Sequence, residues 1–258
     1  KIRGYFLAKT HLKTIHQCDK IITCSKSLKE SFFNKYDLDF DYIQNGVNLE
    51  KYHISTIEEK KNLRQKLNIP TDKYIFISIG SLIYRKDPIS LIKGFLNSEN
   101  SSKSILYLLG DGPLIGEIRD LIKGKNNVIL CGKKSNVSDY LRAADYFVSL
   151  SLSEGLPNTV LEAMASGLPV CLSDIPSHNE IMDYNKSAGI LTPVGDSKKL
   201  SLNINKIIDF DYEEMSNIAQ NIIKSHFSAK KMSNKYHNVY NNLIYNKQRF
   251  GKRNRNEK

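Results

Sequence analysis

The sequence 146-YFVSLSLSEGLPNTVLEAMASGLPVCL-172 has a short apolar run at each end and a helix-like stretch between them. Short, nearly continuous apolar runs are typical of strands that are buried on both faces of a parallel sheet. The middle stretch, Asn158–Ser166, is followed by Gly167, a residue type that commonly ends a helix. The stretch therefore predicts a strand, a glycine-containing loop, a helix and a second strand.

The same alternation extends outward from this stretch in both directions. Besides the runs Tyr146–Leu150 and Pro169–Leu172, apolar runs predict strands at Tyr74–Ile79, Ser104–Leu109, Val128–Leu130 and Gly189–Leu191. Amphipathic segments predict helices at Pro88–Asn97, Leu114–Lys123, Val137–Ala144 and Ser177–Asp183. Strands that alternate with helices indicate an α/β domain with a doubly wound, Rossmann-like parallel sheet.

The flanking segments differ from this central domain in pattern. Residues 1–47 contain two short strands around the helix Lys26–Tyr36, which is too little for a core of its own and indicates a partial second α/β domain. We further expect a linker at 48–69, the doubly wound domain at 70–195, helices at 196–246 and a disordered basic tail at 247–258. The chain begins Lys1-Ile2-Arg3, without Met or a signal-peptide pattern, so we expect its start to be a cut.

Composition and charge restrict the class of protein. The chain has 258 residues, of which 40% are hydrophobic and 25% charged, and no apolar run approaches the roughly 18 residues of a membrane span. A net charge of +11 favours an anionic partner, although it also fits a solvated lysine-rich surface. No recognition helix, zinc finger or aromatic RNA-binding motif accompanies the lysines, so we do not expect nucleic acid as a partner.

The four cysteines are Cys18, Cys24, Cys131 and Cys171, and none belongs to a C-x-x-C pair. We therefore expect neither a zinc site nor a disulfide framework. Reduced, buried cysteines in a cytoplasmic protein fit this distribution better.

The loops that follow the predicted strands are the candidate binding elements, because ligands of a doubly wound sheet bind at the carboxyl ends of its strands. The first loop has Gly80 and Ser81 and then Arg85 and Lys86 before a helix, a combination that can hold a diphosphate. The next two loops supply further candidates, Gly110, Gly112, Cys131, Gly132, Lys133 and Lys134. Taken singly, these residues also fit solvated basic loops and ordinary turns.

The fourth loop is more specific because two carboxylates, Glu154 and Glu162, stand eight positions apart across it. Glu154 lies in the glycine loop, and Glu162 lies about one turn into the helix that follows. A helix N-terminus is a natural phosphate site, and its free amides here would be those of Leu156, Asn158 and Thr159. The alternative is that both carboxylates are solvated surface charges.

The stretch from Ser151 to Val170 resembles the E-x7-E signature of the GT-4 family of glycosyltransferases, close to S-x-x-E-G-x-P-x-x-x-L-E-A-M-A-x-G-x-P-V. The loop with Arg85-Lys86, the Gly110-Asp111-Gly112-Pro113 turn and Asn45-Gly46-Val47 occur in the order of that family, so the resemblance covers about residues 20–245. It implies the GT-B fold, a retaining mechanism and a nucleotide-sugar donor, with no metal or other cofactor.

The resemblance also implies roles for the matching residues. Arg85 and Lys86 would neutralise the diphosphate, and Glu154 would contact the donor sugar; these three are the candidate catalytic residues. Glu162 would bind the ribose and the backbone around Gly132 the base. The complete donor-binding set is Gly80, Ser81, Arg85, Lys86, Gly110, Gly112, Cys131, Gly132, Lys133, Lys134, Glu154, Gly155, Leu156, Pro157, Asn158, Thr159 and Glu162.

Three histidines are weaker candidates. His178 stands near a position where the family often has glycine; it could touch the donor or the acceptor, but a surface helix is the favoured interpretation. His11 and His16 lie in an ordinary helical context and are not assigned a role.

The resemblance leaves three functions open. The first is transfer from a UDP-sugar, or next a GDP-sugar, to a polysaccharide or lipid-linked acceptor, in bacterial cytoplasm and peripherally on an anionic membrane surface. This chain alone would be catalytically incomplete, because the acceptor domain of the family is largely missing. The second is a non-catalytic donor-binding subunit that docks on a separate acceptor-domain chain. The third, a sugar-nucleotide epimerase of similar fold, fits the signature poorly.

Overall fold

A computed structural model describes residue 15 and residues 17–256 of the chain, with side chains described through residue 245. The strands are β1 (Ile22–Thr23), β2 (Asp41–Tyr42), β3 (Tyr74–Ile79), β4 (Ser104–Leu109), β5 (Val128–Gly132), β6 (Tyr146–Ser149), β7 (Val170–Ser173) and β8 (Gly189–Thr192). The α-helices are α1 (Lys26–Tyr36), α2 (Ile57–Lys66), α3 (Pro88–Leu96), α4 (Ile115–Leu121), α5 (Val137–Ala143), α6 (Asn158–Ala165), α7 (Pro176–Met182), α8 (Ser197–Ile208), α9 (Tyr212–His226) and α10 (Ala229–Asn256).

Six of the strands form one parallel sheet in the order β5-β4-β3-β6-β7-β8. The chain moves outward from β3 to β4 and β5, then returns to pair β6 with the other side of β3. The order therefore reverses between β3 and β6, which opens a crevice at the carboxyl ends of these two strands. The predicted α/β class with a doubly wound parallel sheet is confirmed.

The central strands form because their apolar side chains are buried on both faces. Phe76 in β3, Leu106 in β4 and Phe147 in β6 are each 0% exposed. One face packs against α3, α4 and α8, and the other against α5, α6, α7 and α9. Burial on both faces explains why these strands are apolar at nearly every position rather than at alternate ones.

The N-terminal segment contains the two strands and the helix that the sequence predicts. β1 and β2 pair in parallel. Helix α1 between them begins at Ser25, whose hydroxyl accepts a hydrogen bond from the amide of Leu28 at 3.1 Å. None of the residues of α1 is fully buried, so this helix has little apolar packing of its own.

The segment predicted as a linker, 48–69, contains α2, which packs on the doubly wound domain. The side chain of Asp145, at the start of β6, accepts hydrogen bonds from Lys60 at 2.6 Å and Arg64 at 2.7 Å. The same carboxylate accepts the amide of Ile75 at 2.7 Å, at the start of β3. Because Arg64 is buried and Asp145 is paired on three sides, α2 is fixed to the sheet.

The C-terminal helices are more integrated with the sheet than the predicted boundary at residue 196 implies. Apolar side chains of α8 and α9 belong to the two cores that cover the sheet. Helix α10 continues to Asn256, through most of the segment predicted to be disordered. Adding a residue to an existing helix avoids the cost of nucleation, and Lys, Arg and Gln are good helix formers, which explains this difference. Residues 257 and 258 lie outside the described part of the chain.

Two further expectations concern cysteines and membranes. Cys171 is fully buried in β7, but Cys18 is exposed, so the expectation that all four cysteines are buried is wrong for Cys18. Cys18 precedes the first strand in the chain, whereas the buried Cys171 lies within β7 of the six-stranded sheet. Within the described residues, no helix is both long enough and apolar enough to pass through a membrane.

Candidate active site at the switch point of the sheet

The loops after β3 and β6 meet at the point where the strand order reverses. The amide of Leu152, in the loop after β6, donates to the carbonyl oxygen of Arg85 at 2.8 Å. Arg85 lies in a short 3-10 turn, Tyr84–Lys86, which ends at Asp87. Asp87 has a φ of 44° and its carboxylate accepts the amide of Ser90, so one residue ends the turn and caps α3. This turn directs the side chains of Arg85 and Lys86 toward the second loop.

The carboxylate of Glu154 lies between these two cations. Nη1 of Arg85 donates to Oε2 of Glu154 at 2.9 Å, and Nζ of Lys86 donates to Oε1. The Glu154 side chain is only 8% exposed. Burial alone would raise the pKa of Glu154, but the hydrogen bonds from Lys86, Ser151 and Arg85 outweigh it and leave the pKa below its ordinary value. Glu154 is therefore a carboxylate at neutral pH, and it neutralises the cations that were predicted to hold a diphosphate.

The predicted glycines after β3 and β4 hold two loops together. A Cβ added at Gly110, whose φ is 144°, would lie 1.8 Å from the carbonyl oxygen of Gly80. A Cβ at Gly112 would lie 2.4 Å from the carbonyl oxygen of Leu82. Gly80 and Ser81 line a small cavity beneath the stem of Lys86. Gly110 and Gly112 thus allow the close backbone contact that supports the turn carrying Arg85.

The loop after β5 is more open than the loop after β4. Gly132 has a φ of 67°, and no atom lies within 4 Å of the position that its Cβ would take. Lys133 and Lys134 are exposed, and burial raises the pKa of the neighbouring Cys131 thiol. The left-handed glycine turns the chain away from the sheet and leaves space beside it in which a flat ligand could lie.

Helix α6 begins beside Glu154 with first-turn amides that no side chain caps among the described residues. Pro157 stands at the cap position, and Asn158 and Thr159 begin the helix. The carbonyl oxygen of Leu156 accepts a hydrogen bond from Nδ2 of Asn45 at 3.1 Å, which ties this loop to the N-terminal segment. The start of α6 can therefore receive an anion, as the sequence predicts for helix N-termini of this kind.

Glu162 lies further along α6, beside a residue that the sequence did not indicate. Burial raises the pKa of Glu162, while a hydrogen bond from the Tyr52 hydroxyl and the charge of Lys51 act to lower it. Tyr52 is itself buried, and its pKa is raised to about 12, so it remains a neutral donor. Tyr52 follows Asn45-Gly46-Val47 in the chain, but no local pattern reveals that it contacts α6.

His178 is not on a surface helix, so that prediction is wrong. It is 0% exposed, and the carbonyl oxygen of Ser173 lies 2.8 Å from its Nδ1, which therefore carries a proton. Burial lowers the pKa of His178 to about 4, so the ring is neutral at physiological pH. The cause is that α7 packs its first turn against β7, which the amphipathic pattern of a seven-residue helix did not reveal.

A cavity of about 610 Å³ adjoins Glu154. One wall comes from the loops after β3 and β6, with Arg85, Leu152, Ser153, Glu154 and Gly155, and from Ile175, Pro176 and Ser177 at the start of α7. The opposite wall comes from α1, with Ser27, Leu28 and Ser31. The hydroxyl of Ser177 is buried and has no hydrogen-bond partner among the described residues. The cavity is large enough for a hexose ring and lies where Glu154 can reach it.

Within the described part of the chain, no group of three or more His, Cys, Asp or Glu side chains could hold a metal ion. His11 and His16 lie outside the described residues.

The fold is a Rossmann-like α/β domain with the paired cations Arg85 and Lys86 at the switch point of its sheet. The family model for glycosyl transferases group 1 matches residues 59–225, and the chain belongs to this family. A galactosyltransferase of Escherichia coli named UDP-Gal:alpha-D-GlcNAc-diphosphoundecaprenol alpha-1,3-galactosyltransferase is 28% identical over 256 residues, covering 94% of this chain and 63% of its own. The putative teichuronic acid biosynthesis glycosyltransferase TuaC of Bacillus subtilis is 24% identical over 239 residues, covering 90% of this chain and 58% of its own.

Solved structures agree on the fold. The structure of Anabaena Alr3699/HepE in complex with UDP and glucose has a TM-score of 0.78 at 20% identity, covering 87% of this chain and 63% of that one. The structure of WaaG, a glycosyltransferase involved in lipopolysaccharide biosynthesis, has a TM-score of 0.73 at 16% identity and covers 84% of this chain and 61% of that one. The predicted GT-B architecture and the family resemblance are thereby confirmed. The chain spans about 60% of the length of the curated relatives named above.

Proposed function

We propose that this chain binds the nucleotide-sugar donor of a retaining, metal-independent glycosyltransferase and that its acceptor is a polysaccharide or a lipid-linked glycan. The observation that carries the proposal is the pairing of Arg85 and Lys86 with Glu154 at the switch point of the sheet. Two cations that converge on one small space are suited to a diphosphate, and a carboxylate beside them is suited to sugar hydroxyls.

The remaining contacts of the donor follow from the same arrangement. The diphosphate would lie between Arg85, Lys86 and the start of α6, whose amides favour an anion. Glu162 would accept hydrogen bonds from the ribose hydroxyls while Tyr52 holds its carboxylate. The base would lie against the backbone of Gly132, where the left-handed turn leaves space. The transferred sugar would lie in the cavity beside Glu154.

The chemistry that these groups support is departure of a diphosphate from the anomeric carbon. Negative charge grows on the leaving oxygen as the bond breaks, and Arg85 and Lys86 stabilise it without a metal ion. The acceptor hydroxyl would attack from the face on which the diphosphate departs, so the anomeric configuration is retained. Glu154, held as a carboxylate by its hydrogen bonds, would orient the sugar and stabilise its positive character.

UDP is the favoured nucleotide and GDP the next. The galactosyltransferase of Escherichia coli has UDP-Gal and a diphosphoundecaprenol glycan in its name, and the Anabaena structure contains UDP. The charge of +11 suits an acceptor that carries phosphate or an anionic membrane surface beside it. These features support a lipid-linked or polysaccharide acceptor for this chain.

Calorimetric titration with UDP, GDP and ADP in EDTA tests the donor site. We expect one nucleotide to bind with a dissociation constant in the micromolar to sub-millimolar range, and the Arg85→Ala/Lys86→Ala variant to lose this binding. The matched control is Lys198→Ala/Lys199→Ala, which removes the same charge from an exposed part of α8. If the folded chain binds no nucleotide, or if both double variants bind equally well, the proposed donor site is wrong.

A second candidate, a non-catalytic donor-binding subunit, makes a different prediction for the same chain. It requires nucleotide binding without release of UDP from a UDP-sugar, even at long incubation. α1 exposes Phe33 (50%) and Tyr36 (41%), which is the kind of surface that another domain or chain covers. Slow hydrolysis of a UDP-sugar to UDP and free sugar by the wild-type chain, with water in place of the acceptor, would favour the enzyme over the subunit if Glu154→Gln abolishes it.

A further inference from the structure

Glu180 joins the doubly wound domain to the N-terminal segment through three hydrogen bonds. Its carboxylate accepts the backbone amides of Lys26 at 2.9 Å and Ser27 at 2.9 Å. It also accepts a hydrogen bond from Nε2 of Gln44 at 2.8 Å. The two amides belong to the first turn of α1, and Gln44 follows β2. One side chain of α7 thus holds two separate parts of the segment.

These bonds fix the orientation of α1 as well as its distance from the domain. Amides in the first turn of a helix have no partner within the helix, and a carboxylate at that end also interacts favourably with the helix dipole. The two oxygens of Glu180 each accept one of two adjacent amides, so the helix can neither rotate nor slide without losing a bond. No residue of α1 is fully buried, and Leu28 and Phe32 are only half-buried, so apolar packing contributes less than it would for a core helix.

The other hydrogen bonds described between the N-terminal segment and the doubly wound domain hold the stretch after β2 and not helix α1. Asn45 donates to the carbonyl oxygen of Leu156, and Val47 pairs with Ser228 at the start of α10. Both contacts lie after β2, where the chain enters the doubly wound domain. Among the described residues, the hydrogen bonds from the doubly wound domain to the first turn of α1 are those of Glu180, and they act beside the packing of Cys24 against the core.

This position matters because α1 forms one wall of the cavity beside Glu154. Ser27, next to the tie, and Leu28 line that cavity from the α1 side. Ser177 lines it from α7, and residues three apart on a helix lie on the same side, so α7 presents Ser177 and Glu180 in the same direction. Glu180 thus fastens the two walls of one cavity to each other.

We propose that Glu180 is a positioning residue that holds α1 over the pocket for the transferred sugar. The inference rests on the proposed function for the identity of the ligand, whereas the tie itself does not. The contacts of the base, ribose and diphosphate are made by other loops, so they do not depend on Glu180. The contribution of the sugar to binding does depend on it, because the sugar lies between α7 and α1.

The test compares Glu180→Ala and Glu180→Gln with Asp183→Ala in the 258-residue chain. Asp183 lies one turn after Glu180 and its side chain is 67% exposed, with a 3.9 Å contact to Lys186 as its one ion pair within the described residues. Two quantities are measured: hydrogen exchange of the amides of residues 26–31, and the ratio of the affinities for UDP-glucose or UDP-galactose and for free UDP. Gln keeps the shape of the side chain but cannot accept both amides, so it provides a result if the Ala variant unfolds.

We expect exchange at residues 26–31 to become about tenfold faster in the Ala variant, because the amides lose a charged acceptor. The affinity for free UDP stays within about twofold of wild type, and the advantage of the UDP-sugar over UDP falls by about fivefold or more. The Gln variant shifts both quantities in the same direction by a smaller amount, and Asp183→Ala shifts neither.

If hydrogen exchange at residues 26–31 is equal in the Glu180 variants and in Asp183→Ala, Glu180 does not hold α1. If exchange is faster but the ratio of the affinities for the UDP-sugar and UDP is unchanged, Glu180 does not position α1 for the sugar. A wild-type chain that binds none of these nucleotides would contradict the proposed function, while the exchange result would still decide the tie.

Discussion

The change Glu154→Gln tests whether the carboxylate competes with a diphosphate for the same cations. In the structure Glu154 is 8% exposed and is paired with Arg85 and Lys86. A carboxylate and a phosphate charge at roughly 6 Å repel each other by about 3 kcal/mol at an effective dielectric constant of about 20. Arg85 is 47% exposed, so solvent screening and looser side chains reduce the net gain to about 1 kcal/mol. We therefore expect the variant to bind UDP about fivefold more tightly than wild type.

The same substitution acts in the opposite direction on stability. Lys86 and Arg85 lose their partner, which costs about 1–2 kcal/mol in the free energy of unfolding and lowers Tm by a few degrees. Calorimetric titration with UDP and a thermal melt without ligand measure the two effects. Tighter UDP binding by a less stable protein indicates a functional carboxylate. UDP affinity equal to or weaker than that of wild type would refute the idea that Glu154 and the diphosphate compete.

The remaining predictions concern the ribose contact, a buried histidine and two glycines. Glu162→Gln should weaken UDP binding about tenfold through loss of a charged acceptor for the ribose, and unchanged affinity in titration would contradict that role. The pKa of His178 is about 4 in the folded protein against 6.5 in the unfolded chain, so unfolding takes up a proton below pH 6.5. The free energy of unfolding should be highest above pH 6.5 and fall by up to about 3 kcal/mol toward pH 4 because of His178. In urea melts, the stabilities of wild type and His178→Asn should diverge across this range. Parallel pH dependence of the two proteins would refute a buried neutral His178. Gly110→Ala should destabilise the chain by more than about 2 kcal/mol, because its Cβ would lie 1.8 Å from a carbonyl oxygen. Gly116→Ala, with nothing within 4 Å of its Cβ, should stabilise helix α4 by roughly 0.5–1 kcal/mol, and equal Tm values for the two variants would show that backbone contact does not distinguish them.

The sheet and the loops of the site were predictable because their determinants are local. A strand buried on both faces needs apolar side chains at successive positions, and Tyr74–Ile79 and Ser104–Leu109 begin and end where the sequence predicts. The turn before α3 also follows from local chemistry, because Asp87-Pro88 combines a cap with a helix-starting residue.

The contacts that hold the site together were not predictable in this way. Glu180 accepts hydrogen bonds from residues about 150 positions earlier in the chain. Tyr52, which precedes α2, contacts Glu162 in the distant helix α6. His178 has a polar side chain in a short helix, so its full burial depends on how α7 packs against β7. Each of these depends on tertiary packing, which a periodic pattern in one segment does not encode.

The role of Gly110 illustrates the same limit. A glycine in a Gly-Asp-Gly-Pro turn fits either a tight turn or a ligand contact, and the family resemblance predicts contact with the donor. In the structure its missing side chain makes room for the carbonyl oxygen of Gly80. Its contribution to the site is therefore support of the neighbouring loop, and the assignment to direct donor contact stays a prediction.

The most direct test of the account compares UDP with UMP in EDTA, for the wild-type chain and for Arg85→Ala/Lys86→Ala. If Arg85 and Lys86 hold the diphosphate without a metal ion, wild type should bind UDP at least about tenfold more tightly than UMP. The double variant should bind the two nucleotides almost equally. A wild-type chain that does not distinguish UDP from UMP, or a double variant that still does, would contradict the central claim.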